Sequence, residues 1–298
     1  MRKSIALLAL LFLASPSLGQ AQDHRRERGS RRWQRQNEAA ARATVYGKAD
    51  DGTTLKWTVF PGAGPGPHPA VLVIHGGGFR REPNSPRTWQ CAEETAAAGF
   101  NVFHVEYRLA AQRGLEGQQS SGHYPEQTND LKIAVRAARQ YAGGNNKVGA
   151  IGGSAGGAHD VYLAATGKPG DDRLDCAVSF SGAYDFSDPG SLREHGFRKN
   201  VVNYVGSAET EALRKASPIT YVDASIPPLY VIASEDDAMP PQQYTDLIQK
   251  LKAVGATNFQ QLLRPGRGHA FAYWPEVRER CLAFLKENLG TPGANPKR

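Results

Sequence analysis

The sequence predicts an α/β fold: three layers, with a mostly parallel central sheet and an antiparallel hairpin at its front. Three observations carry this. Ala70-Val71-Leu72-Val73-Ile74 is a run without a polar residue, as expected of a strand covered on both faces. Similar runs then alternate with segments of helical periodicity to the end of the chain. The junctions between them are rich in glycine and proline, which punctuate rather than extend regular structure. A chain of 298 residues with 40% hydrophobic content is long enough to bury one sizeable α/β core.

The elements follow in order. Residues 44–60 hold two β-rich runs around Asp51-Gly52, a hairpin turn signal. After the connection PGAGPGPHP comes the strand 70–74. A helix is predicted over 88–99, ending at Gly99, then a strand over 100–107. Residues 129–142 have apolar positions at helical spacing and stop at Gly143-Gly144. The short strand 147–151 runs into GGSAGG, and a helix follows over 154–166. Strands over 174–182, 228–234 and 258–266, with helices over 240–255 and 276–289, complete the pattern. Two long connections, 108–128 and 184–221, break the alternation. Both lie at carboxyl ends of strands, where open α/β sheets bind ligands, and are expected to wall a site.

The N-terminus reads differently. Arg2 and Lys3 precede the apolar run Ile5–Ala14, which is short for a membrane span, and small residues follow at Ser17-Leu18-Gly19. This is the pattern of a secretory signal peptide over 1–19, cut before Gln20 or after Ala21, and it implies a secreted or periplasmic protein without stable membrane insertion. The net charge of +7 is unevenly spread: the signal contributes +2 and DHRRERGSRRWQR (23–35) contributes +4, leaving +1 for residues 36–298. Basicity therefore belongs to an arm over 20–43, expected to be solvated, and not to the folded body at 44–290 or the tail at 291–298. No nucleic-acid-binding motif accompanies the arm, so no nucleic-acid partner is expected. Cys91, Cys176 and Cys281 match no metal motif and fall in apolar segments, as buried free thiols do.

The chemistry centres on Gly152-Gly153-Ser154-Ala155-Gly156, a G-x-S-x-G motif placed between a predicted strand and a predicted helix. In that context the serine occupies a sharp turn with its hydroxyl projecting, and its neighbours are small because strand and helix approach closely. His75-Gly76-Gly77-Gly78 follows the strand 70–74 directly. Unobstructed backbone amides of Gly77 and Gly78, with the amide of Ala155, are the expected oxyanion donors. His75 is read as a prop for this loop. A serine hydroxyl needs a base, and the base an orienting acid. On this kind of turn the acid and then the histidine follow the serine in the chain. Glu235-Asp236-Asp237 follows the strand 228–234, and Arg267-Gly268-His269 follows the last strand. His269 is the expected base and Asp236 the expected orienter; Asp237 is read as a solvated or helix-start charge. His104, within an apolar strand, is expected to be a satisfied core residue, and His159 to lie on another face of its helix from Ser154.

With VLVIHGGGF, VEYRLA, GHYPEQTNDLKIAVRAARQYA, KASPITYV and GRGHAF, these motifs give a chain that resembles the α/β-hydrolase superfamily from about Tyr46 to Leu289. Within it the chain resembles the HGGG-type carboxylesterases, near the hormone-sensitive-lipase and BD-FAE (feruloyl and acetyl-xylan esterase-like) groups. The short elements before HGGG leave no large N-terminal cap, which favours the BD-FAE-like group. The resemblance implies cleavage of carboxylic esters of short acyl chains, such as acetyl or feruloyl groups on polysaccharides, through an acyl-enzyme on Ser154. It calls for no metal and no organic cofactor. Two other readings share the fold: a peptidase of the prolyl-oligopeptidase type, for whose propeller domain the chain has no room, and a catalytically idle binding protein.

Overall fold

The structure is a computed structural model that describes residues 43–81, 85–110, 122–188, 190 and 196–293. The signal-peptide and arm readings, and parts of both long connections, lie outside these residues. The strands are β1 (Ala43–Lys48), β2 (Thr54–Phe60), β3 (His68–Ile74), β4 (Asn101–Val105), β5 (Gly144–Gly153), β6 (Cys176–Phe180), β7 (Leu229–Asp237) and β8 (Phe259–Gly268). They form one sheet in the order β1-β2-β4-β3-β5-β6-β7-β8. The β1–β2 and β2–β4 pairs are antiparallel and the others parallel. The front hairpin thus supplies an antiparallel edge to a parallel sheet, as the α/β reading requires.

The strand Ala70–Ile74 shows why both faces had to be apolar. Leu72 and Ile74 pack on one side with Leu131, Val135 and Val161, from the helices α2 (Glu126–Arg139) and α3 (Ala155–Thr166). Val71 and Val73 pack on the other with Cys91, Trp274 and Leu285, from α1 (Pro86–Ala97) and α7 (Trp274–Leu289). Alternate side chains of one strand therefore feed two separate cores. Cys91, Cys176 and Cys281 are buried free thiols within the second of these.

The connection 184–221 carries α4 (Arg198–Val205), α5 (Thr210–Ala216) and a 3₁₀ turn, Pro218–Tyr221. Val201, Tyr204, Leu213 and Ala216 gather with Phe79, Ala155 and Met239 into a third apolar cluster. Phe79 stacks on Tyr204 with ring centres 4.3 Å apart. This cluster sits where the sequence expected a wall, at the ends of β3 and β5. A further helix, α6 (Pro241–Ala253), follows β7.

Two boundaries bear on the site. Ser154, expected as the first residue of a helix, precedes α3 instead and has φ 57° and ψ −118°. β7 continues three residues past its expected end at 234, because Asp236 pairs with Arg267 and Asp237 with Gly268 of β8. Among the described residues no helix is long and apolar enough to cross a membrane.

Candidate active site

The turn at Ser154 is built by close approach. A methyl group on Gly152 would lie 2.3 Å from Gly156 O, and one on Gly156 would lie 2.1 Å from Ile74 O. Neither neighbour can retreat, since both are backbone atoms of the packed sheet and helix. Gly157 is similarly hemmed in by Ser179 and Phe180. The glycines therefore let α3 sit directly against β3 and β5, and the chain turns at Ser154 through a φ that serine rarely adopts. The conformation is held by Ser154 N–H donating to Phe180 O at 2.8 Å and by Ala158 N–H donating to Ser154 O at 3.1 Å.

The HGGG segment lies against this turn. A methyl group on Gly76 would meet Gly153 O at 2.7 Å and Ser154 Cβ at 3.0 Å. Gly77 and Gly78 have φ of 114° and 63°, the region that glycine enters without strain. His75 is buried, and burial lowers its pKa to about 4 although its ring faces Gly76 O at 2.7 Å. Tyr107 stacks on it at 4.4 Å and donates its hydroxyl proton to His75 O. The histidine is thus a neutral support for the loop.

The acid that meets the histidine is Asp237, not Asp236. His269 Nδ1 lies 2.7 Å from Asp237 Oδ1. Asp236 is exposed, and its expected role as orienter is corrected by this contact. The reason is the sheet: β7 extends alongside β8 to the end, and a register shift between Ser234 and Asp236 sets which carboxylate turns toward His269. The Asp237 carboxylate is 2% exposed and His269 31%. Ser181 Oγ–H donates to Asp237 Oδ2 at 2.6 Å, Tyr273 OH donates to the same oxygen, and Met239 N–H donates to Oδ1 at 2.8 Å. Burial would raise the Asp237 pKa, but the hydrogen bonds from His269, Ser181 and Tyr273 outweigh it and hold the carboxyl below its ordinary value. Tyr273 responds in the opposite sense, its pKa raised by burial and by the Asp237 carboxylate.

Ser154, His269, Gly76, Gly77 and Gly78 line one cavity of about 430 Å³. Ala155, the third expected oxyanion donor, follows Ser154 as the first residue of α3. Among the described residues no group of His, Cys, Asp and Glu is arranged to hold a metal ion.

A family model described as BD-FAE matches residues 59–251, well over half of the chain. The chain belongs to the BD-FAE family. Its relatives include an esterase, LipC, of Mycobacterium tuberculosis, 27% identical over 224 residues, which are 69% of this chain and 53% of that protein. The chain spans about half the length of the curated relatives it matches. The fold is that of a thermophilic esterase from Thermogutta terrifontis, with TM-score 0.65, 21% identity, and coverage of 86% of this chain and 94% of that one. It is also that of a truncated carbohydrate esterase from gut microbiota, with TM-score 0.66, 18% identity, and coverage of 83% and 95%.

Several residues that support this BD-FAE site were not identified from sequence. Ser181 and Tyr273 hold the acid, and Gln127 ties the glycine loop to two helices. Gln127 Nε2 donates to Phe79 O at 2.6 Å, while its Oε1 faces His159 Nε2 at 2.9 Å. His159 is fully buried with a pKa lowered to about 3 by burial and then by His75. His104 is likewise lowered to about 3, again by burial first, and stacks on Trp89 at 4.6 Å. Both are packing histidines. For Asp237, Ser181 and Gln127 the sequence held no such signal: the carboxylate is chosen by the β7–β8 register, and the partners of the other two lie far along the chain.

Proposed function

We propose that this chain is a serine hydrolase of carboxylic esters acting through Ser154, His269 and Asp237. The observation that carries the reading is the 2.7 Å contact between His269 Nδ1 and Asp237 Oδ1 at the cavity that Ser154 lines. With Nδ1 donating to the carboxylate, Nε2 is the basic nitrogen and takes the Ser154 proton as Oγ attacks the ester carbonyl. Asp237 keeps the ring in that tautomer and stabilises it when charged. The amides of Gly77, Gly78 and Ala155 receive the negative charge that develops on the carbonyl oxygen. His269 returns its proton to the leaving alcohol, an acyl group remains on Ser154, and water removes it by the same steps in reverse.

Short acyl chains are the proposed substrates, with acetyl or feruloyl groups on polysaccharides as the class. Support comes from the family and from the structural likeness to a carbohydrate esterase. Export through the N-terminal segment is part of the proposal and suits a polymeric substrate outside the cell. The test is hydrolysis of aryl esters from acetyl to butyryl by the wild type and by Ser154→Ala. Turnover by the wild type with a loss of about a thousandfold or more in the variant is expected. A fully active variant would remove Ser154 from the mechanism.

A further inference from the structure

The cavity that holds Ser154 and His269 is also lined by Arg80, Arg81 and Arg87, and by no carboxylate among the described residues. Arg80 and Arg81 follow the glycine loop directly, and Arg87 is in the first turn of α1. Their state differs from that of six arginines elsewhere in the fold. Arg108, Arg136, Arg139, Arg214, Arg264 and Arg278 each meet an aspartate or glutamate. The three cavity arginines form no ion pair among the described residues. Among the described residues, Arg87 donates to the neutral Gln90 side chain, and Arg80 Nε is buried with no hydrogen-bond partner. General basicity does not account for this, because residues 36–298 carry a net charge of only +1. A neighbouring depression of about 500 Å³ shares Arg80 and Asn200 with the cavity and adds Lys199.

Cations that meet no carboxylate among the described residues, in a partly enclosed cleft, concentrate positive potential, and a guanidinium matches a carboxylate with two parallel hydrogen bonds. We propose that the ester taken by this site is an anion, bearing a carboxylate that Arg80, Arg81 and Arg87 receive while Ser154 attacks the ester carbon. The inference rests on the ester-hydrolase reading and names its substrate class. The carboxylate can reach the site from two sources: the acyl group, as in the half-ester of a dicarboxylic acid, or the alcohol, as in an acylated acidic sugar.

The experiment compares matched pairs. One arm uses 4-nitrophenyl hydrogen adipate and its methyl-capped neutral counterpart, read by nitrophenol release. The other uses an O-acetylated methyl galacturonoside and its uronamide, read by acetate release. In at least one arm the wild type is expected to favour the anion by about tenfold or more in kcat/KM, as charge-assisted hydrogen bonds provide. That arm identifies the source. The preference should shrink as salt is raised. In Arg80→Gln and in the exposed Arg81→Gln, the ratio of anionic to neutral kcat/KM should fall. Equal turnover within both pairs overturns the inference while leaving ester hydrolysis standing. A preference that both variants retain overturns the assignment to these arginines. Arginines that served only the oxyanion would slow both members of a pair alike and leave the ratio unchanged, which also overturns it. Absence of turnover on all four esters refutes the underlying reading itself.

Discussion

Asp237 Oδ1 accepts His269 Nδ1 at 2.7 Å across the ends of two neighbouring strands, while Asp236, one residue earlier, faces solvent. The pair separates two adjacent carboxylates that composition and spacing cannot tell apart. Asp237→Asn should lower kcat by about a thousandfold to ten-thousandfold, since an amide at this position no longer favours the productive tautomer. Asp236→Asn should stay within about twofold of the wild type, as surface changes usually do. Steady-state kinetics on one aryl ester decides this, and a larger loss at Asp236 would reverse the assignment.

The glycines of the serine turn have a stability consequence separate from chemistry. Gly156→Ala would place a methyl group 2.1 Å from Ile74 O, with no flexible side chain able to yield. The expected cost is about 1–3 kcal/mol or more, seen as a lowered midpoint of denaturant unfolding. Gly170→Ala provides the contrast: nothing lies within 4 Å of its Cβ position, and only its φ of +77° opposes the substitution. An equal or smaller loss at Gly156 would show that helix and strand are not locked together there.

Asp160 lies in α3 behind the turn, fully buried, and neither carboxylate oxygen has a hydrogen-bond partner among the described residues. Burial raises its pKa well above the ordinary 3.8, beyond what nearby Ser179 and the Val161 and Gly152 amides offset. The sign follows from linkage. An acid with a raised folded pKa favours folding in its protonated form below the unfolded value, and that contribution is lost as pH rises toward the folded value. Asp160→Asn should therefore be more stable than the wild type at neutral pH, with the difference shrinking toward pH 4. Urea midpoints across that range test it, and a pH-independent difference would contradict it.

Arg108 and Asp130 form a buried pair that joins the end of β4 to α2. Arg108 Nη2 lies 2.8 Å from Asp130 Oδ1, and Arg108 Nη1 reaches Asp50 of the front hairpin at 2.8 Å. Asp130→Ala leaves a buried guanidinium without its main partner, for an expected loss of about 3–5 kcal/mol. Chemical denaturation measures it. A loss under about 1 kcal/mol would mean that Asp50 and Asp51 compensate.

The sheet, its helices and the serine turn were legible because each is written in local pattern. Apolar runs of strand length, helical periodicity and a glycine-flanked serine are set by steric rules that act over a few residues. The strand Leu229–Ser234, however, is buried on both faces. It therefore offers no polar alternation from which to count the orientation of the residues after it, and the register shift that follows would have defeated such counting.

By itself, the sequence determined the α/β architecture, the strand–serine–helix turn, the glycine loop and the place of His269 in the chain order. Only the tertiary structure decided that Asp237 holds the histidine, that Ser181 and Tyr273 hold Asp237, and that Arg80, Arg81 and Arg87 share the cavity with Ser154. The first set depends on backbone geometry between near neighbours. The second depends on which side chains β7, β8 and the loops after β3 and β6 bring together over separations of tens of residues, and this is settled by register and packing.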